Sequence, residues 1–185
     1  MKATVILGSR NPAGQTASAA GALSDGLRAE GADVERFILP EMHIERCRQC
    51  DSAGWGVCRH EGRCVIGDDV DELVEVLAAS DAVVFATPVY FSDLSESMKA
   101  LLDRLRRRCV HDATKARLGG IRAVGVCVAG GGGGGAPNCC TVLDRTLSTC
   151  GFDVVDMVPV RRQNLKMKCP LLDRTGRWLA AGGPE

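Results

Sequence analysis

Short apolar runs alternate with helical stripes along this chain, and that alternation restricts its fold more than any other feature. Ala3 to Leu7 is a short apolar run ending at Gly8, the pattern of a strand covered on both faces. From Thr16, small residues and then Leu23 and Leu27 recur at helical spacing until Gly31. Val34 to Leu39 reads as a second strand closed by Pro40, and Ala82 to Ala86 as a third. Ile121 to Ala129 and Phe152 to Val158 supply two more. Between them, Val70, Leu73, Val74 and Leu77 form one buried stripe, with Asp69 and Glu72 as its cap and third-position partner. Leu94, Met98, Leu101, Leu102 and Leu105 form another, capped at Ser92 or Asp93. Pro137 opens a helix that Gly151 ends, and a last helix is expected near Leu171 to Ala181. Strands in this order with helices between them predict a parallel sheet with helices on both faces, because parallel neighbours need crossover connections.

The 185 residues suit one domain, 1–185, with no linker and no repeat. Lys plus Arg and Asp plus Glu are 23 each, so no net field draws the chain to nucleic acid or membrane. The apolar run after Met1 is too short for a signal-peptide core, and no stretch is long enough to span a bilayer. The ten cysteines are therefore expected as reduced thiols in a cytoplasmic protein.

Ligands of open α/β sheets bind outside the carboxyl ends of the strands, and three such ends here are unusual. In GSRNPAGQTASAA, Gly8 allows a tight turn, Ser9 and Thr16 offer hydroxyls, Arg10 offers a fork of donors, and Gln15 opens the helix. Free N–H groups at that helix start suit a phosphate monoester. The loop matches neither G-x-G-x-x-G nor G-x-x-x-x-G-K-[ST]. In TPVYF, Pro88, Val89, Tyr90 and Phe91 set two of the chain's few aromatics at one strand end, where a ring can stack on a planar ligand. Finally, Gly130 to Gly135 are six consecutive glycines between a strand and a helix. Such a run carries an entropic penalty and fits where backbone must lie along a flat ligand. Its bland alternative is a flexible surface loop.

GSRNPAGQT resembles the phosphate loop of the flavodoxin-like NAD(P)H-dependent FMN reductases, and ATPVYFSDLSESMKALLDRL resembles that family's flavin-ring loop and following helix. Together with CRQC…GRCVIGDD, the chain is similar to the iron–sulfur flavoprotein branch. The resemblance implies a flavodoxin-like three-layer α/β/α sandwich with a five-stranded parallel sheet in the order 2-1-3-4-5, carrying a Cys-rich loop insertion over residues 41–66. It implies FMN as cofactor, with Ser9, Arg10, Gln15 and Thr16 on the phosphate, Pro88, Val89, Tyr90 and Phe91 on the isoalloxazine, and Gly130 and Gly131 along its polar edge. It also implies NAD(P)H as electron donor, a small molecule such as a quinone or a redox protein as acceptor, and a homodimer or homotetramer.

Within the insertion stand Cys47, Cys50, Cys58 and Cys64, spaced C-x₂-C-x₇-C-x₅-C. Cluster-bearing members of the branch have a compact run with three cysteines two residues apart; here the third position is Ala53. A [4Fe–4S] cluster on four thiolates is the preferred reading. Structural zinc, with His60 as a substitute ligand, disulfides, and free or catalytic thiols stay open. Cys127 and Cys150 read as core, and Cys139 and Cys140 as small residues near a cofactor or as thiols of lowered pKa. Arg106-Arg107-Arg108 and Arg161-Arg162 read as solvated faces or as receivers of NADPH phosphates. No paired carboxylates or Ser/His/Asp arrangement supports hydrolysis.

Overall fold

Alternate residues of the central strands go to opposite cores, which requires helices on both sides of the sheet. In strand β1 (Lys2–Leu7), Ile6 packs into one core while Ala3, Val5 and Leu7 pack into the other. Strand β3 (Ala82–Pro88) divides in the same way, Val83 and Phe85 against Ala82, Val84 and Ala86. The computed structural model describes residues 1–182, so the last three positions of the expected 1–185 domain lie outside the described residues. All five strands are parallel, in the order β2-β1-β3-β4-β5, with β2 Asp33–Ile38, β4 Arg122–Ala129 and β5 Asp153–Arg161. This is the flavodoxin-like order that the family resemblance implied.

Helices α1 (Gln15–Ala29) and α7 (Leu165–Ala180) cover one face of the sheet. Helices α3 (Val70–Ala78), α4 (Glu96–Arg108) and α6 (Ala136–Cys150) cover the other. Two short helices, α2 (Cys58–Glu61) and α5 (Asp112–Leu118), complete the chain and were not expected. The α1 and α7 backbones touch where Gly26 faces Asp173 and Gly176 faces Leu23, and neither position has room for a Cβ.

Three local expectations are corrected. Asp69 occupies the N-cap position of α3 but its side chain makes no capping bond; its carboxylate accepts the backbone N–H of His43 at 2.7 Å, and Asp68 Oδ1 accepts that of Val70 at 3.3 Å. Helix α4 is capped by Ser95, whose Oγ accepts Met98 N, rather than by Ser92 or Asp93, which lie in a preceding turn. Helix α7 starts six residues before the expected Leu171 and carries Pro170 inside it. Burial of Leu172 and Leu179 against α1 outweighs the hydrogen bond that the proline removes.

Candidate functional site

A cavity of about 960 Å³ opens at the carboxyl ends of β1, β3 and β4, and three loops form its walls. The first follows β1. Gly8 N–H donates to Ala86 O at 2.8 Å, and a Cβ on Gly8 would stand 2.7 Å from Ser95 Oγ, so only glycine lets the loop cross the start of α4. Asn11 then folds the loop: its Oδ1 accepts Ala13 N at 3.0 Å and its carbonyl accepts Gly14 N at 3.1 Å. The extended Gly14 delivers the chain into α1 with no side-chain cap and no acidic residue in the first turn. The leading N–H groups of α1 therefore face the cavity, where the helix dipole favours an anion. Ser9, Gln15 and Thr16 line the cavity; Arg10 is exposed and is not part of the lining.

The second wall is the loop after β3. Thr87 is buried, accepts Ser95 N at 3.1 Å and donates to Pro88 O at 3.1 Å. Ser97 Oγ donates to Gly8 O at 3.2 Å, so the start of α4 ties the first wall to the second. Val89 N donates to Val128 O, and Tyr90 and Asp93 exchange two backbone bonds of 3.0 Å around Phe91 and Ser92. Phe91 (φ 49°) and Ser92 (φ 68°) both occupy the left-handed region, as the two central residues of a type I′ turn must. For non-glycine residues this stores about 1–3 kcal/mol each. Phe91 stands wholly in solvent at the tip of this turn, at 106% exposure, with Tyr90 at 55%.

The third wall is the glycine run. Gly131, Gly133 and Gly135 have φ of 40°, 78° and 82°, while Gly130, Gly132 and Gly134 have open space where a Cβ would be. Gln163 Nε2 donates to Gly131 O at 3.1 Å, and Gly135 lies against Ser92, so this wall touches the second. Pro88, Val89, Tyr90, Phe91, Gly130 and Gly131 thus share one cavity with Ser9, Gln15 and Thr16. Sequence reasoning missed Asn11, Thr87, Ser95, Ser97 and Gln163. The Asn-Pro pair was a turn signal for Asn11; Gln163 left none, being far from the glycines in sequence.

Cys47, Cys50, Cys58 and Cys64 line a second, smaller pocket with Trp55, Arg104 and Arg107. The space between them is about 20 Å³, room for one water. Among the described residues, no three His, Cys, Asp or Glu side chains converge on a point that a single metal ion could occupy. The thiols line the pocket wall instead, and a group with one iron per thiolate needs more room than this. Seating such a group needs outward rotation of the thiols, which their exposure permits: Cys50 is exposed and the other three are half-buried. All ten cysteines are free thiols.

Helix α4 holds this loop, so Arg107 and Arg108 do not form the solvated face expected from the sequence. Arg104 and Asp68 form an ion pair with side chains 1% and 0% exposed, and Arg104 also donates to the carbonyls of Glu45 at 3.3 Å and Ile66 at 3.4 Å. Arg107 donates to Gly54 O and lies 4.8 Å over the Trp55 ring; Arg108 donates to Gly62 O at 2.9 Å and pairs with Asp71. Burial alone would push the Asp68 carboxyl up, but Arg104 and the N–H groups of Glu45 and Val70 outweigh it and hold it below the usual carboxylate range. Burial likewise presses down on the Arg104 guanidinium, and Asp68 and the Cys64 sulfur more than offset it. The Nε atoms of Arg104 and Arg107 are buried and have no acceptor.

Of the six remaining thiols, five meet within the core, and Cys169 is half-buried on α7. Cys127 contacts Cys139 and Cys140; a hydrogen bond to Cys127 lowers the Cys140 thiol, while Cys127 itself is pushed up. Cys109 and Cys150 form a second contact.

Comparison with known proteins agrees with this geometry. An iron–sulfur flavoprotein of Methanocaldococcus jannaschii is 32% identical over 125 residues, 68% of this chain and 62% of the relative. One from Methanosarcina thermophila is 32% identical over 128 residues, 68% of this chain and 63% of that protein. The chain thus spans less than two thirds of the length of these relatives. An NAD(P)H:quinone oxidoreductase structure from Methanothermobacter marburgensis superposes with a TM-score of 0.73 at 21% identity, over 100% of this chain and 98% of that one, a likeness of fold. The profile of the family described as NADPH-dependent FMN reductase matches residues 1–164, and the chain belongs to that family.

Proposed function

We propose that this protein is an FMN-dependent NAD(P)H oxidoreductase whose flavin lies in the cavity at the three strand ends. The observation that carries this reading is the meeting, around one cavity, of an uncapped helix start, exposed aromatics and a side-chain-free glycine wall. Ser9, Gln15, Thr16 and the first N–H groups of α1 hold the phosphate, and Arg10 reaches it by swinging inward. Pro88, Val89, Tyr90 and Phe91 contact the ring face, while Gly130 and Gly131 approach its polar edge as backbone. The bound flavin supplies hydride and electron chemistry; the protein orients it and sets the charge around it. NAD(P)H is the donor, and a quinone or a redox protein the acceptor.

Cys47, Cys50, Cys58 and Cys64 are the ligands we assign to a [4Fe–4S] cluster. Four soft thiolates around one pocket and two acceptorless buried guanidinium N–H groups suit an anionic iron–sulfur group. Ala53 in place of the compact run's third cysteine favours a second reading, a cluster-free reductase with these thiols on a lid. The exposed Phe91 beside the ring site suits association of subunits there, as a homodimer or homotetramer.

Protein purified without oxygen tests both readings through its visible spectrum, with iron, sulfide and zinc assayed on the same sample. Flavin bands over a broad shoulder near ~400 nm, with stoichiometric iron and sulfide, support the two-centre protein. Flavin alone supports the reductase without a cluster, and no uptake of added FMN rejects the assigned cavity. In Cys58→Ser, unchanged iron would show that Cys58 is no ligand.

A further inference from the structure

We infer that Arg104 and Arg107 present their Nε–H groups to the sulfurs of the group held by the four cysteines and thereby raise its reduction potential. This rests on the cluster reading of the cysteine pocket. The two arginines are three residues apart, on one face of α4, and both line that pocket. Both outer nitrogens of Arg104 are engaged elsewhere, with Asp68, Glu45 O and Ile66 O, and Nη1 of Arg107 is engaged with Gly54 O. The Nε–H of each arginine is buried and without an acceptor.

Buried polar groups find partners in roughly nine cases of ten. Of the three buried side-chain atoms without a partner among the described residues, the Nε atoms of Arg104 and Arg107 share one helix face bordering one sulfur-lined pocket, while His111 Nδ1 lies apart. That placement points to sulfur as their missing acceptor. Charge agrees with this assignment. Asp68 neutralises Arg104 and Asp71 pairs with Arg108, but among the described residues Arg107 has no carboxylate partner. The pocket wall thus carries surplus positive charge beside four groups that become anionic as ligands. Adding an electron to such a centre is opposed by its own charge. Donors to its sulfurs and an adjacent cation favour the reduced form, so their removal lowers the potential.

The test is a redox titration followed by electron paramagnetic resonance on the loaded protein, with iron and sulfide measured and the flavin couple as internal reference. Arg107→Gln should retain iron and lower the cluster couple at least tenfold in equilibrium constant, 59 mV for one electron. Arg107→Lys restores the charge without the Nε–H and should fall between variant and parent. Arg104→Lys, which keeps a cation beside Asp68, should also lower the couple. Full iron content with an unchanged potential in Arg107→Gln overturns the inference and leaves the cluster reading intact. Loss of iron from both Arg107 variants overturns it in favour of a purely structural arginine. Parent protein without iron or sulfide overturns the cluster reading and this inference together.

Discussion

The glycine run divides into two kinds of position, and substituting them one at a time separates folding from ligand binding. Gly135 sits at φ 82°, where a Cβ would stand 2.5 Å from Ser92 Oγ and 2.8 Å from Ser92 Cα. Left-handed backbone costs an alanine about 1–2 kcal/mol, and overpacking against a neighbouring backbone adds about 1–3 kcal/mol. Gly135→Ala should therefore lower stability by roughly 2–5 kcal/mol, or about 4–20 °C in Tm for a chain of this size. Gly132 has no positive φ and nothing within 4 Å of its Cβ position. Gly132→Ala should leave the flavin-free protein unchanged or raise its stability by about 0.4–1 kcal/mol, since alanine narrows the unfolded ensemble. If the ring lies along this wall, however, the same methyl group meets it, and FMN affinity should fall roughly tenfold to a hundredfold. Urea unfolding of the flavin-free protein and quenching of FMN fluorescence on binding measure the two quantities separately. Parent-like FMN affinity in both Gly130→Ala and Gly132→Ala would refute the placement of the ring against the glycine wall. A stable Gly135→Ala would refute the steric account of the run.

Two further substitutions probe the frame of each site. Asp68→Asn leaves a buried Arg104 without a counter-charge and should cost about 3–5 kcal/mol, read as a shift in the urea midpoint. Because the folded Asp68 titrates below its unfolded value of roughly 3.9, its stabilisation is complete above that pH and is lost as pH falls through the folded value. Parent protein should therefore lose more stability than Asp68→Asn on acidification below about pH 4; equal slopes would reject the assignment. Gly176→Ala forces a Cβ onto the Leu23 backbone and must part α1 from α7. It should cost at least the 1–3 kcal/mol typical of overpacking, and a parent-like thermal melt would show that this helix contact is looser than the geometry implies.

The strands and the three unusual strand-end loops were legible in the sequence because each is a local pattern, whereas the strand order came with the family resemblance. A doubly covered strand shows a short apolar run, and a loop that must approach a ligand shows glycine, proline or small polar residues. What sequence reasoning missed depends on partners distant in the chain. Asp68 and Asp69 look like a helix start, yet the carboxylates fold back onto His43 and Glu45, more than twenty residues earlier. Pro170 looks like a helix boundary, and burial of the surrounding turns against α1 overrides it. Arg106-Arg107-Arg108 looks like a solvated run. Only Arg106 behaves that way, pairing with Asp103 on the surface, because at helical spacing the next two residues point to the cysteine loop.

That last difference bears on how the two sites are related. A loop of this length without a sheet must find donors for its backbone carbonyls. Those of Glu45, Gly54, Gly62 and Ile66 are met by three arginines of α4. None of these bonds uses a thiol, so the cysteines are free to bond into the pocket while the loop keeps its shape. At its other end the same helix holds two walls of the strand-end cavity, through the Ser95 bond to Thr87 and the Ser97 bond to Gly8. Ser95 and Arg107 are twelve residues apart, or about 18 Å along the axis. A single rigid element therefore sets the position of the loop after β3, the loop after β1 and the cysteine loop relative to one another. A substitution that shifts α4 along its axis has to displace both sites at once, whereas a change in the loops themselves affects only one.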